Sequence, residues 1–410
     1  MTPQAFSYPI VANNGMIYIP PYGLTESIDY MLKFNPQDKS FTKIKLKVSD
    51  CTEKWIWGIA YRNKIIVLPY NENTILIIDT DNDSIEYSKL WVKGKGKYVQ
   101  GHIHGNTLYA LPYGEHTPYD YILKLELPYM YPDQEKLRLP KDCKRWHTTQ
   151  LLDGIIYGLP RGEDWENTFN YRIEYDCGED DYALVDMKPL WEDYEQDDMN
   201  NKKYTTLAKT GNRLYAPPYS ENSNFDILTK FVNGEWFSER TGLKETSRKY
   251  FTHTVASNGK IYFPPAGHDE NWSEMLIIDP TQDNGNDQYW YTLNLGIGKE
   301  SKKFFAGIEN SRGKLFFMPR GGCVCEPESS WKSMGDLTEI LKLDIHTDEF
   351  TTIDISEHFI NETSIEKYNK CVILDDVIYA FPYGQSADFH KLLIFDTLTE
   401  KAETIDLRYV

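Results

Sequence analysis

The sequence predicts an all-β fold, an eight-bladed β-propeller of four-stranded antiparallel blades. Three observations predict it: a phrase close to Gly-x-Ile-Tyr-x-x-Pro-Tyr occurs eight times, its prolines are 43 to 63 residues apart, and short apolar runs and turn residues flank each copy. This period is that of a four-stranded blade. Helical repeats would need apolar residues at i, i+3 and i+4, and these are missing. The copies occupy residues 15–22, 63–70, 106–113, 154–161, 212–219, 259–266, 313–320 and 376–383.

Each copy of the phrase is predicted to be strand B of a hairpin. An apolar or small-residue run precedes it, for example residues 55–60 and 147–152, and is predicted to be strand A. Asn-Gly or Asp-Gly turns separate the two runs at 14–15, 153–154 and 258–259. This is the turn chemistry of tight β-hairpins.

Strands C and D are predicted after the phrase. Strand C is an apolar run that usually ends at an acidic turn, as at 75–79, 121–125, 275–279, 340–344 and 392–396, and strand D is amphipathic, as at 84–90 and 402–407. The eight units fill the chain, so one domain spanning 1–410 is expected. Seven blades, with one unit displaced, is the alternative. The repeats run approximately over 5–47, 54–91, 97–140, 146–190, 203–243, 250–295, 303–355 and 367–408.

The Gly-x-Ile-Tyr of strand B and the Ile-x-x-Asp of strand C resemble kelch-type repeats. The resemblance covers nearly the whole chain and implies a propeller fold. The glycine doublet of kelch repeats is absent from most units; Gly321 and Gly322 come closest to it, and Pro-Tyr or Pro-Arg stands in its place.

Composition favours a cytoplasmic protein. Aromatic residues make up 14% of the chain, enough to supply large side chains for packing between blades. No apolar run has the length of a membrane span, and the start of the sequence lacks the features of a signal peptide. The six cysteines show no zinc spacing, and most are expected to be reduced thiols, although Cys323 and Cys325 would suit metal or redox chemistry. No cofactor and no metal site are predicted.

The net charge of −18 argues against general nucleic-acid binding and against membrane binding, because both need a cationic surface. A basic residue followed by an aromatic one nevertheless precedes strand A in seven units. The basic residues of these pairs are Lys54, Lys97, Arg145, Lys203, Lys249, Lys303 and Lys367.

Blade topology predicts where these pairs lie. The D-to-A and B-to-C connections share one end of every blade, so the basic residues should lie near the residues that end strand B. The expected result is a cationic, aromatic-lined central funnel. Its other predicted ligand-binding residues are Tyr70, Tyr113, Tyr219, Tyr383, Arg161, Arg320, His147 and His253. The alternative is that each lysine is solvated and its stem covers a neighbouring ring, with the aromatic residue in the core between blades.

Two functions are compatible with such a funnel. The first is a non-catalytic recognition module that binds an anionic small molecule or an acidic or phosphorylated segment of a partner protein. The second is a lyase or glycosidase acting on an acidic carbohydrate. The sequence contains no phosphate-binding glycine loop, nucleophile elbow or His-Glu-x-x-His motif, which favours the binding module.

Overall fold

A computed structural model describes most of the chain. The described residues are 6–23, 28–114, 119–139, 146–161, 170–191, 203–219, 225–243, 250, 252–265, 273–283, 288–296, 304, 307–319, 338–359, 367–382 and 389–410. They form eight four-stranded antiparallel sheets, each with its strands in chain order. These sheets are the blades of an eight-bladed β-propeller, so the alternative of seven blades is wrong. The chain divides into two compact units, residues 4–200 and residues 201–410 with 1–3.

The unit of residues 4–200 contains blades 1 to 4. Blade 1 consists of β1 (Ile10–Val11), β2 (Ile17–Ile19), β3 (Tyr30–Asn35) and β4 (Ser40–Lys45). Blade 2 consists of β5 (Trp55–Tyr61), β6 (Lys64–Pro69), β7 (Thr74–Asp79) and β8 (Ile85–Lys89). Blade 3 consists of β9 (His102–His104), β10 (Thr107–Ala110), β11 (Tyr121–Glu126) and β12 (Tyr131–Lys136). Blade 4 consists of β13 (Thr149–Leu152), β14 (Ile155–Gly158), β15 (Tyr171–Asp176) and β16 (Asp181–Asp186), followed by a 3-10 turn at Lys188–Trp191.

The unit of residues 201–410 contains blades 5 to 8. Blade 5 consists of β17 (Ala208–Thr210), β18 (Arg213–Ala216), β19 (Ile227–Val232) and β20 (Glu235–Arg240). Blade 6 consists of β21 (Thr254–Val255), β22 (Ile261–Phe263), β23 (Glu274–Ile278) and β24 (Trp290–Asn294). Blade 7 consists of β25 (Ile308–Glu309), β26 (Lys314–Phe317), β27 (Glu339–Asp344) and β28 (Phe350–Asp354). Blade 8 consists of β29 (Tyr368–Leu374), β30 (Val377–Pro382), β31 (Lys391–Asp396) and β32 (Lys401–Asp406). Short 3-10 turns at Ser356–Phe359 and Leu407–Tyr409 follow blades 7 and 8.

The core lies between neighbouring blades. One cluster joins blades 1 and 2 through residues such as Tyr18 and Trp55, and another joins blades 7 and 8 through Phe316 and Tyr368. The aromatic residue of every predicted basic-aromatic pair is 0 to 2% exposed, which confirms that it is a core residue, and all but Tyr204 lie in clusters that join two neighbouring blades. These residues are Trp55, Tyr98, Trp146, Tyr204, Tyr250, Phe304 and Tyr368.

Two tryptophans show what fixes the aromatic residue in place. The Trp55 indole N–H donates to the Thr74 carbonyl at 3.0 Å, and the Trp146 indole N–H donates to the Tyr171 carbonyl at 3.1 Å. Both carbonyls belong to the first residue of strand C in the same blade. The ring is therefore buried with its polar atom satisfied, as a buried tryptophan requires.

Candidate functional site

Three tyrosines that end the repeated phrase form a row in the unit of residues 4–200. The ring centroids of Tyr22 and Tyr70 are 6.2 Å apart, and those of Tyr70 and Tyr113 are 6.3 Å apart. Ile56 and Val99 pack against the three rings and are partly buried. We call Tyr22, Tyr70 and Tyr113 the tyrosine row.

Backbone hydrogen bonds hold the tyrosine row at a regular spacing. The Lys54 N–H donates to the Tyr22 carbonyl and the Tyr70 N–H to the Lys54 carbonyl, both at 2.8 Å. The same alternation continues, since Lys97 N–H donates to Tyr70 at 3.0 Å and Tyr113 N–H to Lys97 at 2.8 Å. Each lysine backbone therefore joins its own blade to the preceding one, which aligns the three rings.

The row continues into blade 4 with two residues of different chemistry. The Arg161 guanidinium carbon lies 5.4 Å from the centre of the Tyr113 ring. The His147 ring lies 5.6 Å from the same ring and meets it edge-on. Arg161 occupies the position that tyrosine has in most copies of the phrase, and it is 8% exposed. The structure thus brings together the predicted residues Tyr70, Tyr113, His147 and Arg161.

The opposite end of the row carries a carboxylate. The Tyr22 hydroxyl donates to Glu53 Oε1 at 2.7 Å, and the Asn71 amide donates to Glu53 Oε2 at 3.2 Å. The row therefore runs from an acidic end in blades 1 and 2 to a cationic end in blade 4.

The predicted lysines differ from expectation in their exposure. Lys54, Lys97, Lys203 and Lys367 are 0% exposed, whereas a solvent-facing wall was expected. The Lys54 ammonium donates to the carbonyls of Ser49, at 3.1 Å, and Cys51. The Lys97 ammonium donates to the Gly94 carbonyl at 2.6 Å. The Lys54 and Lys97 side chains therefore turn back onto the D-to-A connections that contain them and donate to carbonyls of those connections.

Burial changes the acid–base behaviour of one of these lysines. Removal from water lowers the pKa of Lys97 to about 8, because desolvation disfavours the ammonium ion.

Lys367 is packed against the Phe359 ring, with 5.5 Å between the ammonium nitrogen and the ring centre. The four described lysines are thus buried and not exposed as expected, and their assignment to a ligand site stays a prediction from the sequence.

Two other predicted residues lie in the unit of residues 201–410. Tyr219 is buried, and its N–H donates to the Lys203 carbonyl at 2.8 Å, which repeats the backbone pattern of the tyrosine row. His253 Nδ1 lies 2.6 Å from the Thr206 hydroxyl of the preceding blade. Burial, followed by the charge of Lys370, lowers the pKa of His253 to about 4, so this imidazole is neutral at pH 7. In the other unit, His102 Nε2 lies 2.7 Å from the Thr149 hydroxyl of the following blade.

The remaining predicted site residues lie outside the described residues. They are Arg145, Lys249, Lys303, Arg320 and Tyr383. The Cys323 and Cys325 pair also lies outside them. Cys51, Cys177 and Cys371 are described, and each is a free thiol, as expected of most of the cysteines.

The sequence analysis did not predict a second set of polar contacts, which join neighbouring blades. The hydroxyl of Tyr18, the fourth residue of the phrase, donates to Asp83 Oδ1 of the next blade at 2.9 Å. Lys33 pairs with the same carboxylate at 2.8 Å. Tyr215 and Lys230 meet Asp283 in the same way, at 3.0 Å and 2.6 Å. The feature that repeats in the sequence is an aspartate in the C-to-D turn of the next blade.

Comparison with known proteins supports the fold alone. No family model and no curated protein matches the sequence. A structure of apo AztD from Citrobacter koseri is similar with a TM-score of 0.57 and 10% identity, over 99% of this chain and 96% of that one. A crystal structure of Citrobacter koseri AztD gives 0.55 and 10%, over 99% and 95%. YCF48 bound to D1 peptide gives 0.46 and 12%, over 78% and 85%.

Within the ranges given above, no group of three or more His, Cys, Asp or Glu side chains is arranged to hold a metal ion. Within the same ranges, no helix has both the length and the apolar character needed to span a membrane.

Proposed function

We propose that this chain is a non-catalytic binding protein whose site is the blade 4 end of the tyrosine row. The ligand is an anionic small molecule or an acidic or phosphorylated segment of a partner protein. The observation that carries the proposal is the Arg161 guanidinium over the Tyr113 ring, in a position that is tyrosine in most repeats.

The chemistry of these side chains supports an anionic, planar or extended ligand. A guanidinium presents donors that match carboxylate and phosphate oxygens in pairs, and it keeps its charge at all physiological pH values. The Tyr113 ring supports the guanidinium from behind through a cation–π contact. His147, Ile56 and Val99 are half-buried, so they are the accessible surface beside the row. They would contact the apolar part of the ligand.

The buried lysines have a different role in this proposal. The ammonium groups of Lys54 and Lys97 donate to carbonyls of the D-to-A connections, so these two lysines fix the backbone that positions the tyrosines. Charge at the site then comes from Arg161. A cytoplasmic location and the absence of general nucleic-acid or membrane binding stay as predictions from the sequence.

The test is a thermal-shift screen with nucleotides, sugar phosphates, uronic-acid oligomers and phosphopeptides at low and moderate salt. Wild type is expected to show a salt-sensitive rise in Tm with at least one anion. Arg161→Tyr introduces the residue that five of the eight repeats have at this position, so this variant should fold normally and lose the rise in Tm. Arg62→Gln is the matched control, because the Arg62 guanidinium also lies over a tyrosine, 5.2 Å from the Tyr61 ring centre, at an A-to-B turn.

Two results would contradict the proposal. An unchanged ligand shift in Arg161→Tyr would show that the tyrosine row does not hold the anion. Conversion of any ligand into product, detected by mass spectrometry of each mixture, would show an enzyme.

A further inference from the structure

Glu53 has an unusual backbone conformation at the acidic end of the tyrosine row. Its φ is 52°, in the left-handed region, where a side chain strains the backbone and glycine is favoured. Every other non-glycine residue of positive φ in the described part of the chain lies in an A-to-B or C-to-D turn. Glu53 lies instead in the D-to-A connection between blades 1 and 2, directly before Lys54. Strain at such a position indicates a role for the side chain.

The next D-to-A connection shows that this backbone path does not need a carboxylate. Gly96 directly precedes Lys97 there, as Glu53 precedes Lys54, and the φ of Gly96 is 60°. In both connections the lysine donates its backbone N–H to a carbonyl of the tyrosine row. The same arrangement therefore forms with the residue that its conformation favours, so the backbone does not account for a glutamate in blade 2.

Hydrogen bonds hold the Glu53 carboxylate in one orientation. The Tyr22 hydroxyl donates to Oε1 at 2.7 Å, and the Asn71 amide donates to Oε2 at 3.2 Å. Asn71 is itself held, because its amide also donates to the Thr52 carbonyl at 3.1 Å and its side-chain oxygen accepts from the Gly96 N–H at 2.9 Å. Glu53 is half-buried, so it keeps contact with solvent. An oriented, half-buried carboxylate is suited to bind an ammonium or guanidinium group.

The tyrosine row sets the separation of Glu53 from the cationic end. The centres of its three rings are 6.2 Å and 6.3 Å apart, and the Arg161 guanidinium carbon lies 5.4 Å from the centre of the last ring. An extended chain advances about 3.4 Å per residue, so about five residues span these three steps. The half-buried side chains of Ile56 and Val99 pack against the rings between the two charged ends.

We propose, on the basis of the proposed function, that the ligand is an extended segment of a partner protein with opposite charges at its two ends. A carboxylate or phosphate of the segment binds at Arg161, and a Lys or Arg side chain about five residues away binds at Glu53. The residues between the two charges contact Ile56 and Val99. Both charges at one spacing select the partner, because a missing or misplaced charge leaves one end of the row without a ligand group.

The test measures binding of fluorescently labelled, capped peptides to the full chain by fluorescence anisotropy at one salt concentration. Each peptide has one phosphoserine and one lysine at a varied spacing, with the lysine on either side, and a second series has norleucine in place of lysine. Glu53→Gln removes the charge and keeps an acceptor for the Tyr22 hydroxyl, so its Tm should be unchanged. Asp153→Asn is the matched control, because Asp153 also has a positive φ, of 50°, and is exposed at an A-to-B turn outside the row.

The expected result is a preference for lysine at one spacing. Wild type should bind the lysine peptide with about four residues between the charges about tenfold more tightly than its norleucine version. Glu53→Gln should bind the two versions equally, with the affinity of wild type for the norleucine peptide. Asp153→Asn should keep the preference of wild type.

Three results overturn the dipolar segment: wild type shows no preference for lysine, the preference is equal at every spacing, or Glu53→Gln keeps it. In each case the proposed function still stands if Arg161→Tyr loses binding of the norleucine peptides. Wild type that binds neither series also overturns the dipolar segment, and the small anions of the thermal-shift screen then decide the proposed function. Arg161→Tyr that binds every peptide as tightly as wild type would overturn both.

Discussion

The two tyrosines of the repeated phrase have different surroundings. The tyrosine at its fourth position uses its hydroxyl, as in Tyr18 and Tyr262, which donate to Asp83 at 2.9 Å and to Asp348 at 3.1 Å in the next blade. The tyrosine at its eighth position packs ring beside ring, as in Tyr70 and Tyr113, whose centroids are 6.3 Å apart, and in Tyr22 the hydroxyl also donates to Glu53 at 2.7 Å. One short phrase therefore supplies both a polar contact between blades and an aromatic row.

The two positions also differ in what surrounds the residue in a blade that lacks tyrosine there. Blade 2 has Ile66 at the fourth position, and its partners are also apolar, since Ile77 and Met130 lie with it in one core cluster. Blade 4 has Arg161 at the eighth position, and the Tyr113 ring that it faces is unchanged. A contact whose members all change together preserves packing. The charge that Arg161 adds beside the unchanged Tyr113 ring is the feature on which the proposed function is based.

The largest effect is expected from Asp283→Ala. The Asp283 side chain is 2% exposed and accepts from the Tyr215 hydroxyl at 3.0 Å and the Lys230 ammonium at 2.6 Å. Its removal leaves two largely buried donors without this acceptor, which should lower the free energy of unfolding by about 3 kcal/mol. The measurement is urea unfolding at pH 7.

The control for that substitution is Asp50→Ala, because Asp50 is exposed. It should change the free energy of unfolding by less than about 0.5 kcal/mol. Equal stability of Asp283→Ala and wild type would mean that the contacts of the fourth-position tyrosine do not hold the blades together.

The second largest effect is expected from Met130→Asp. Met130 is 5% exposed and packs with Ile66 and Ile77, so a carboxylate there has no donor equivalent to Tyr18 and Lys33. We expect a loss of about 2 kcal/mol in the free energy of unfolding. The triple variant Ile66→Tyr, Ile77→Lys and Met130→Asp rebuilds the polar set and should recover at least half of that loss. A triple variant that is less stable than Met130→Asp would show that the two kinds of interface are not interchangeable.

Most of the fold could be predicted from the sequence. Strand C of blade 2 was expected at 75–79 and is Thr74–Asp79, and strand A was expected at 55–60 and is Trp55–Tyr61. These assignments depend on local patterns of turns and apolar runs, which one stretch of sequence contains completely. The kelch resemblance gained no support beyond the propeller fold.

The candidate site could be predicted in part. Blade topology correctly brought Tyr70, Tyr113, His147 and Arg161 together, because the ends of strand B and the D-to-A connections meet at one end of the blades. The direction of the lysine side chains could not be predicted. It depends on the path of each D-to-A connection, where Gly94 presents its carbonyl to Lys97 from three residues earlier. The contact of Tyr18 with Asp83 joins residues 65 positions apart, so no local pattern reveals it.

A smaller effect should separate the two tyrosine positions directly. Tyr18→Phe removes the hydroxyl that donates to Asp83, and we expect a loss of about 1 kcal/mol in the free energy of unfolding. Tyr113→Phe keeps the ring contacts with Tyr70, His147 and Arg161, and we expect a loss of less than about 0.5 kcal/mol. Urea unfolding of the two variants side by side is the measurement. The reverse order of stabilities would contradict the distinction between a hydroxyl position and a ring position.

The smallest effect concerns pH and the carboxylate between blades 3 and 4. Burial alone would raise the pKa of Asp180, but hydrogen bonds from Lys124 and Tyr175 lower it below its ordinary value of 3.8. Because the folded-state pKa is the lower one, this carboxylate stabilises the fold above pH 3.8, and that contribution is lost as the pH falls through the lowered pKa. Asp180→Asn should therefore lose less stability than wild type when the pH is lowered from about 6 to about 2.5. Lys124→Gln should also flatten the acid limb, because it removes the contacts of Lys124 with both Asp180 and Glu135. An acid limb in Asp180→Asn as steep as that of wild type would mean that the Lys124 contact contributes nothing to the stability of this interface.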